Sequence, residues 1–235
     1  HRRDLKELLQ GMVKNHMRVS ILSNGTLITD EVAQYIASTK RCNHVQVSID
    51  GSGAHSHDLL RGEGNFAKAV RGIECLRRNK INVAVRVTIF RDNVRELDKI
   101  AKLLLEEIGL PSFSTNSASH MGLCRSNADM VQLTLEERMI AMEALLRLNQ
   151  KYNNRIGAAA GPLAEAKAWI EMEKARREGK EALPGKGKLV SCGGVWSKMG
   201  VRADGVLVPC GQLGHIVLGK ANEDNLMEVW QNHPE

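Results

Sequence analysis

Leu5, Leu8, Leu9, Met12 and Val13 recur at helical spacing across residues 4–15. The run Arg18 to Leu22 then reads as a short strand, closed by the turn Ser23-Asn24-Gly25. Thr29 stands where a helix cap belongs, and Asp30 and Glu31 suit the positive end of a helix that turns Val32, Ala33 and Ile36 inward as far as Ser38. Val45 to Ile49 predicts a second strand, ended by Asp50-Gly51. After a turn at 62–65, Phe66, Ala69, Val70, Ile73 and Leu76 mark the inner face of a helix to Asn79. Val83 to Phe90 is the strongest strand signal, Asn93 is expected to cap a helix through Ile108, and Gly109 and Pro111 stop it. Phe113 centres a weaker fourth strand.

Helices and strands alternating in this way imply an α/β fold, a parallel sheet with right-handed crossovers. The strands are nearly continuous apolar runs, which predicts a sheet covered on both faces. Four strands are visible, too few for a closed eight-fold barrel. Beyond Phe113 the texture changes. A polar loop, 114–130, contains Gly122 and Cys124; a long helix begins at Thr134 and reaches about Asn153; a second runs over 162–178 and ends in a charged, solvated stretch. Residues 183–188 read as a linker. Short strands over 195–203 and 206–208, joined by Asp204-Gly205, predict a hairpin.

Composition narrows the partners. Lys and Arg number 33 against 27 Asp and Glu, a net charge of +6. The excess is spread over amphipathic helices, which suits solvated faces or else an acidic partner or substrate. With three Trp, two Tyr and three Phe, a base-stacking nucleic-acid surface is not expected. No apolar run reaches the ~18 residues of a membrane span, and five Cys without a disulfide pattern point to a reducing, cytoplasmic compartment.

In a parallel α/β sheet, ligands gather outside the carboxyl ends of the strands. Ser23-Asn24-Gly25-Thr26, Ser48-Ile49-Asp50-Gly51 and Phe90-Arg91-Asp92-Asn93 stand there. Arg61 follows and could grip a carboxylate in a two-pronged contact. Ordinary turn chemistry explains the same residue types. His55 and His57 on a loop make a poor chelate without a third ligand. Cys192 and Cys210 bracket the hairpin, which suits a zinc or iron–sulfur site, or two independent buried thiols.

Taken in order, SNGTLITDE (23–31) and VQVSIDGSGAHSHDLLRGEGNFAKAVRGIECLRRNKINVAVRVTIFRDNVREL (45–97) resemble the middle of the partial barrel of radical S-adenosylmethionine (SAM) enzymes. CGGVWSKMGVRADGVLVPC (192–210) is similar to the opening of the auxiliary-cluster domain called SPASM, and LMEVW (226–230) resembles the helix that follows. The family's C-x3-C-x2-C, its Gly-Gly-Glu segment and the later Cys group are absent, so truncation at both ends is expected, with the visible strands the third to sixth of a partial (β/α)6 TIM-like barrel. The resemblance divides the chain into a barrel portion at 1–130, a helical extension and linker at 131–188, and the start of a SPASM-like domain at 189–235.

The resemblance implies that Ser48 and Arg61 hold the SAM carboxylate, that Asp50 and Asn24 line the ribose pocket, and that Cys192 and Cys210 ligate an auxiliary [4Fe-4S] cluster. Cys42 and Cys75 match no cluster position and read as structural. The implied activity is reductive cleavage of SAM to a 5′-deoxyadenosyl radical that modifies a substrate, a peptide or protein side chain in the maturase type, with a flavodoxin- or ferredoxin-like electron donor. The alternatives are a radical SAM enzyme that builds a haem-type or quinone cofactor, a non-catalytic α/β binding module with a zinc-binding hairpin, and a sugar or nucleotide enzyme on an ordinary barrel. The fragment by itself is expected not to cleave SAM, for want of the catalytic thiolates.

Overall fold

Five strands, one more than the sequence pattern predicts, hydrogen-bond into a parallel sheet in a computed structural model that describes residues 4–118, 123–180, 198–211 and 213–233. They are β1 (Val19–Ser23), β2 (Cys42–Ser48), β3 (Val83–Ile89), β4 (Phe113–Ser117) and β5 (Ile156–Ala158), in the order β1-β2-β3-β4-β5. The crossovers are α1 (Leu5–Lys14) ahead of β1, then α2 (Asp30–Ser38), α3 (Ala54–Arg61) with α4 (Asn65–Arg78), and α5 (Leu97–Lys102). Two short turns, α6 (Leu123–Ser126) and α7 (Ala128–Val131), precede α8 (Leu135–Lys151), and α9 (Pro162–Arg177) follows β5. The fifth strand escapes the sequence pattern because Ile156-Gly157-Ala158 offers one β-branched residue in three. It is fixed by pairing, Phe113 with Ile156 and Ser114 with Gly157.

The sheet corrects a second expectation. Val45, Val47 and Ile49, with Val83, Val85, Val87 and Ile89 in the next strand, are all buried and face the helices, while the residues between them are only partly buried or exposed. The runs VQVSI and VAVRVTI are therefore strict alternations, and one face of the sheet is polar. That inner face carries Leu22, Gln46, Ser48, Arg86, Thr88, Ser114 and Asn116 in paired rows. The shape is what a partial barrel needs: helices outside, a polar lining within.

Caps follow their chemistry. The Thr29 side chain accepts from the Val32 amide, and Thr134 and Glu137 form a reciprocal capping box at the start of α8. Asn93 does not cap a helix: the segment after β3 is a 3-10 turn (Val94–Glu96), then α5, then a π-helical turn (Leu103–Glu107), and Asn93 is buried with its side chain turned back onto the sheet. The polar stretch after Phe113 is a strand as far as Ser117 rather than a loop.

Gly25, at φ +80°, lets the loop after β1 press against α4. The contact is backbone to backbone, and a Cβ on Gly72 would stand 2.3 Å from the Gly25 carbonyl oxygen. Gly72→Ala is therefore expected to destabilise the fold by about 2–3 kcal/mol despite alanine's higher helix propensity, measured as a lowered urea midpoint.

The chain divides into two compact units, residues 1–173 and 174–235. In the second, β6 (Gly200–Val201), β7 (Val206–Val208) and β8 (Gly219–Lys220) form an antiparallel sheet. Asp204-Gly205 makes the expected turn, with Gly205 at φ +83° and the Asp204 carboxylate accepting from the Val206 amide. Within the strand expected over 195–203, Gly200–Val201 is paired, and residues 195–197 lie outside the described residues. α10 (Leu226–Asn232) is capped by Asn225. No described helix is long and apolar enough to cross a membrane.

Candidate functional site

The loop after β2 is built around Asp50, which is fully buried. Its Oδ1 accepts from the Thr88 amide at 2.7 Å, and its Oδ2 accepts from Arg61 Nε at 2.7 Å and Nη2 at 2.5 Å. The Asp50 amide donates to His57 Nδ1 at 3.1 Å, and its carbonyl accepts from Asn93 Nδ2 at 2.8 Å. A carboxylate with so many partners is rigid, and it fixes the Arg61 guanidinium at the rim of the sheet. Two of the five N–H donors of Arg61 are engaged there, and the other three have no partner among the described residues.

Arg61 reaches this position from the last turn of α3, a helix that sequence reading took for a loop. The helix also separates the two histidines. His57 is buried, accepts from Asp50 and packs edge-on against Phe66 at 5.7 Å. Burial pushes its pKa down; the Asp50 and Asp58 carboxylates oppose that, and Arg61 adds to it. His55 instead meets Glu96 at 2.7 Å. Among the described residues, no group of three His, Cys, Asp or Glu could hold a metal.

Glu96 fastens the loop from the other side. It accepts from the Ser52 hydroxyl at 2.9 Å, the Ser52 amide at 3.4 Å and His55. Burial alone would raise its pKa, but hydrogen bonds from Ser56, His55 and Ser52 together take it from an ordinary 4.5 to about 2. The unfolded chain therefore binds the extra proton first. Glu96's contribution to stability is complete above pH 4.5 and is lost as pH falls toward 2. Glu96→Gln is expected to flatten that part of the pH–stability curve, as read from thermal midpoints between pH 5 and 2.

Asn93 ties the β2 and β3 ends together. Its Nδ2 donates to the carbonyls of Asp50 and Thr88, and its Oδ1 accepts from the Phe90 amide. Gly51 admits no side chain, since a Cβ there would lie 2.3 Å from the His57 nitrogen.

The other sequence candidates divide. Ser48 stands on the inner face of β2, two residues before Asp50, half-buried, opposite Arg86. Asn24, exposed after β1, closes a local turn: its Oδ1 accepts from the Thr26 amide at 3.2 Å and hydroxyl at 3.0 Å. Cys210 is half-buried just beyond β7, and Cys192 lies outside the described residues. Burial pushes the thiols of Cys42 and Cys75 up, which suits structural rather than ligating roles. Sequence reading missed His57 and Glu96 as loop fasteners. The four-residue step from His57 to Arg61, read as one face of a helix, is the signal that would have joined them to Asp50.

Comparison with known proteins matches this architecture. The family model of the radical SAM superfamily matches residues 1–104, and that of the iron–sulfur cluster-binding domain SPASM matches residues 192–235. The chain is 38% identical to the mycofactocin maturase MftC of Mycolicibacterium smegmatis over 103 residues, 43% of this chain and 26% of that one. It is 26% identical to an AdoMet-dependent heme synthase of Methanosarcina barkeri over 239 residues, 98% of this chain and 65% of that one. The crystal structure of Streptococcus suis SuiB bound to precursor peptide SuiA superposes with a TM-score of 0.69 at 13% identity, over 99% of this chain and 52% of SuiB, a likeness of fold. The matches span less than two thirds of the length of each of these three proteins. A parallel α/β half-barrel with a rim built on Asp50 and Arg61 thus stands where the chain matches the radical SAM superfamily over residues 1–104, and the antiparallel sheet of the second unit stands where it matches the SPASM domain over residues 192–235.

Proposed function

We propose that the protein is a radical SAM enzyme of the maturase type, which binds SAM at the carboxyl ends of β1 to β3 and modifies a peptide or protein side chain. The observation that carries this is the fixed Arg61 guanidinium, braced by the buried Asp50, on the loop that follows Ser48. The donor set fits the ligand. Arg61 and the Ser48 hydroxyl offer N–H and O–H groups to the amino-acid carboxylate of SAM, and Asn24 on the neighbouring strand end borders the ribose. Asp50, expected from sequence in the ribose pocket, acts through Arg61 as a positioning residue. SAM and a reduced [4Fe-4S] cluster supply hydrogen-atom abstraction; the chain's residues bind and orient.

Cys210, half-buried at the open end of the hairpin, fits one thiolate of an auxiliary [4Fe-4S] cluster, with Cys192 its expected partner. The domains follow as a barrel portion at 1–130, a helical extension at 131–188 and the SPASM-like portion from 189. A cytoplasmic, reducing setting and a flavodoxin- or ferredoxin-like electron donor complete the reading. A second substrate class, a haem-type precursor, is favoured by the heme synthase likeness, which runs over 98% of the chain.

Equilibrium dialysis of the intact, iron- and sulfide-reconstituted protein tests the site. Ser48→Ala and Arg61→Ala are expected to weaken SAM binding about tenfold or more, the scale of a lost charge-assisted hydrogen bond. Unchanged affinity in both variants would refute the assignment, and zinc in place of iron in the purified protein would favour a binding module.

A further inference from the structure

We propose that Arg86 anchors a carboxylate of the substrate on the inner face of the sheet, an inference that rests on the SAM reading of the neighbouring Ser48 and Arg61. Arg86 lies in the third of five parallel strands, in the row Ser48–Arg86–Ser114–Gly157. Its neighbours in that row are short, so space is left around a long cationic side chain. The guanidinium is exposed on this face, and its Nε donates to the Ser114 hydroxyl at 3.4 Å. Arg61, Arg78, Arg91, Arg138, Arg147 and Arg202 each have a carboxylate partner. Arg86 has none among the described residues.

A second observation lies one inner row nearer the carboxyl rim. Thr88 pairs with Asn116 there, two residues further along, or roughly 6–7 Å at the rise of a strand. Asn116 Oδ1 is the buried side-chain polar atom that lacks a partner among the described residues. A buried acceptor of this kind calls for a donor. On the other side of Arg86, toward the amino ends of the strands, a hollow of about 480 Å³ is lined by His44, Ala84, Ser114 and Gly157 among others. The inner face therefore offers, in sequence from depth to rim, open space, a guanidinium and an orphan acceptor.

Together they fit a ligand that enters carboxylate first. Arg86 takes the carboxylate in a two-pronged contact, and Asn116 accepts an N–H or O–H about two residues' rise closer to the carboxyl rim of the strands. The ligand's remaining part is then held toward the carboxyl rim, where Arg61 stands. A peptide terminus and a tetrapyrrole propionate share the carboxylate, and the peptide adds a nearby backbone N–H for Asn116.

Binding measurements on the intact, reconstituted protein with SAM present separate the two sources. One arm uses an N-acetylated tripeptide as free acid and as carboxamide; the other uses coproporphyrin III and its tetramethyl ester. In at least one arm the acid is expected to bind about ten- to a hundredfold more tightly than its neutral form. Arg86→Gln is expected to remove that preference, and Arg86→Lys to keep part of it, both without changing SAM affinity. The proposal is overturned if Arg86→Gln keeps the full preference, or if SAM-competent wild-type protein prefers the acid in neither arm. Failure of the wild type to bind SAM would strike the reading of the rim instead, and an Arg86-dependent acid preference would still stand by itself.

Discussion

Replacing Asp50 with Ala is expected to lower the unfolding free energy by about 3 kcal/mol and to remove measurable SAM binding. The substitution leaves the Thr88 amide without an acceptor in a buried position and leaves the Arg61 guanidinium without its counter-charge. Stranding a buried donor costs about 1–3 kcal/mol, and breaking a buried ion pair from one side costs about 3–5. Arg61 is one-third exposed, so water recovers part of the second cost. Asp50→Asn keeps an acceptor for Thr88 but loses the charge, so a smaller stability loss with the same loss of SAM affinity is expected. Urea titration and SAM dialysis on the same samples separate the two effects. Retention of SAM affinity in Asp50→Asn would show that the charge of Asp50 is not what fixes Arg61 for the ligand.

Asn93→Ala should be almost as severe, at about 2–4 kcal/mol. One amide side chain serves three backbone groups: it donates to the carbonyls of Asp50 and Thr88 and accepts from the Phe90 amide. Two of the three bonds are buried and the one to Thr88 is partly so, and a buried hydrogen bond left unmade carries its full desolvation cost. Asn93→Asp keeps the acceptor for Phe90, yet turns a carboxylate oxygen toward two carbonyls, so it should be no better than Ala. Since Asn93 and Asp50 share a contact, their effects should not add, and the double variant should be less destabilised than the sum of the two. Thermal unfolding of the four proteins in that cycle provides the check; strict additivity would mean that the two residues act independently.

Much of the barrel portion was legible in the sequence. The strands over Val45–Ile49 and Val83–Phe90, the helix over Phe66–Asn79 and the Asp204-Gly205 turn all follow from period and turn chemistry. The polar face was misread because Gln46, Ser48, Arg86 and Thr88 interrupt otherwise apolar runs, and a parallel sheet is ordinarily covered on both sides. The interruptions are the lining of a half-barrel. β5 was invisible because three residues carry too little pattern, and its place is decided by partners more than 40 residues away. α3 was missed because Gly51 to Ser56 reads as loop chemistry; its fastening by Glu96 and by Asp50 through His57 is tertiary. Ser48, Asp50 and Arg61 were picked out through their order in the chain, while the ion pair that joins two of them became visible only in three dimensions.

On this reading the rim formed by Ser48 and Arg61 receives the carboxylate of SAM. A crystal structure of the intact protein soaked with SAM under anaerobic conditions tests it most directly. The methionyl carboxylate is expected within hydrogen-bond distance of both the Ser48 hydroxyl and the Arg61 guanidinium, with the Asp50–Arg61 contact intact. SAM seated at the amino ends of the strands, or with its carboxylate away from both side chains, would contradict it.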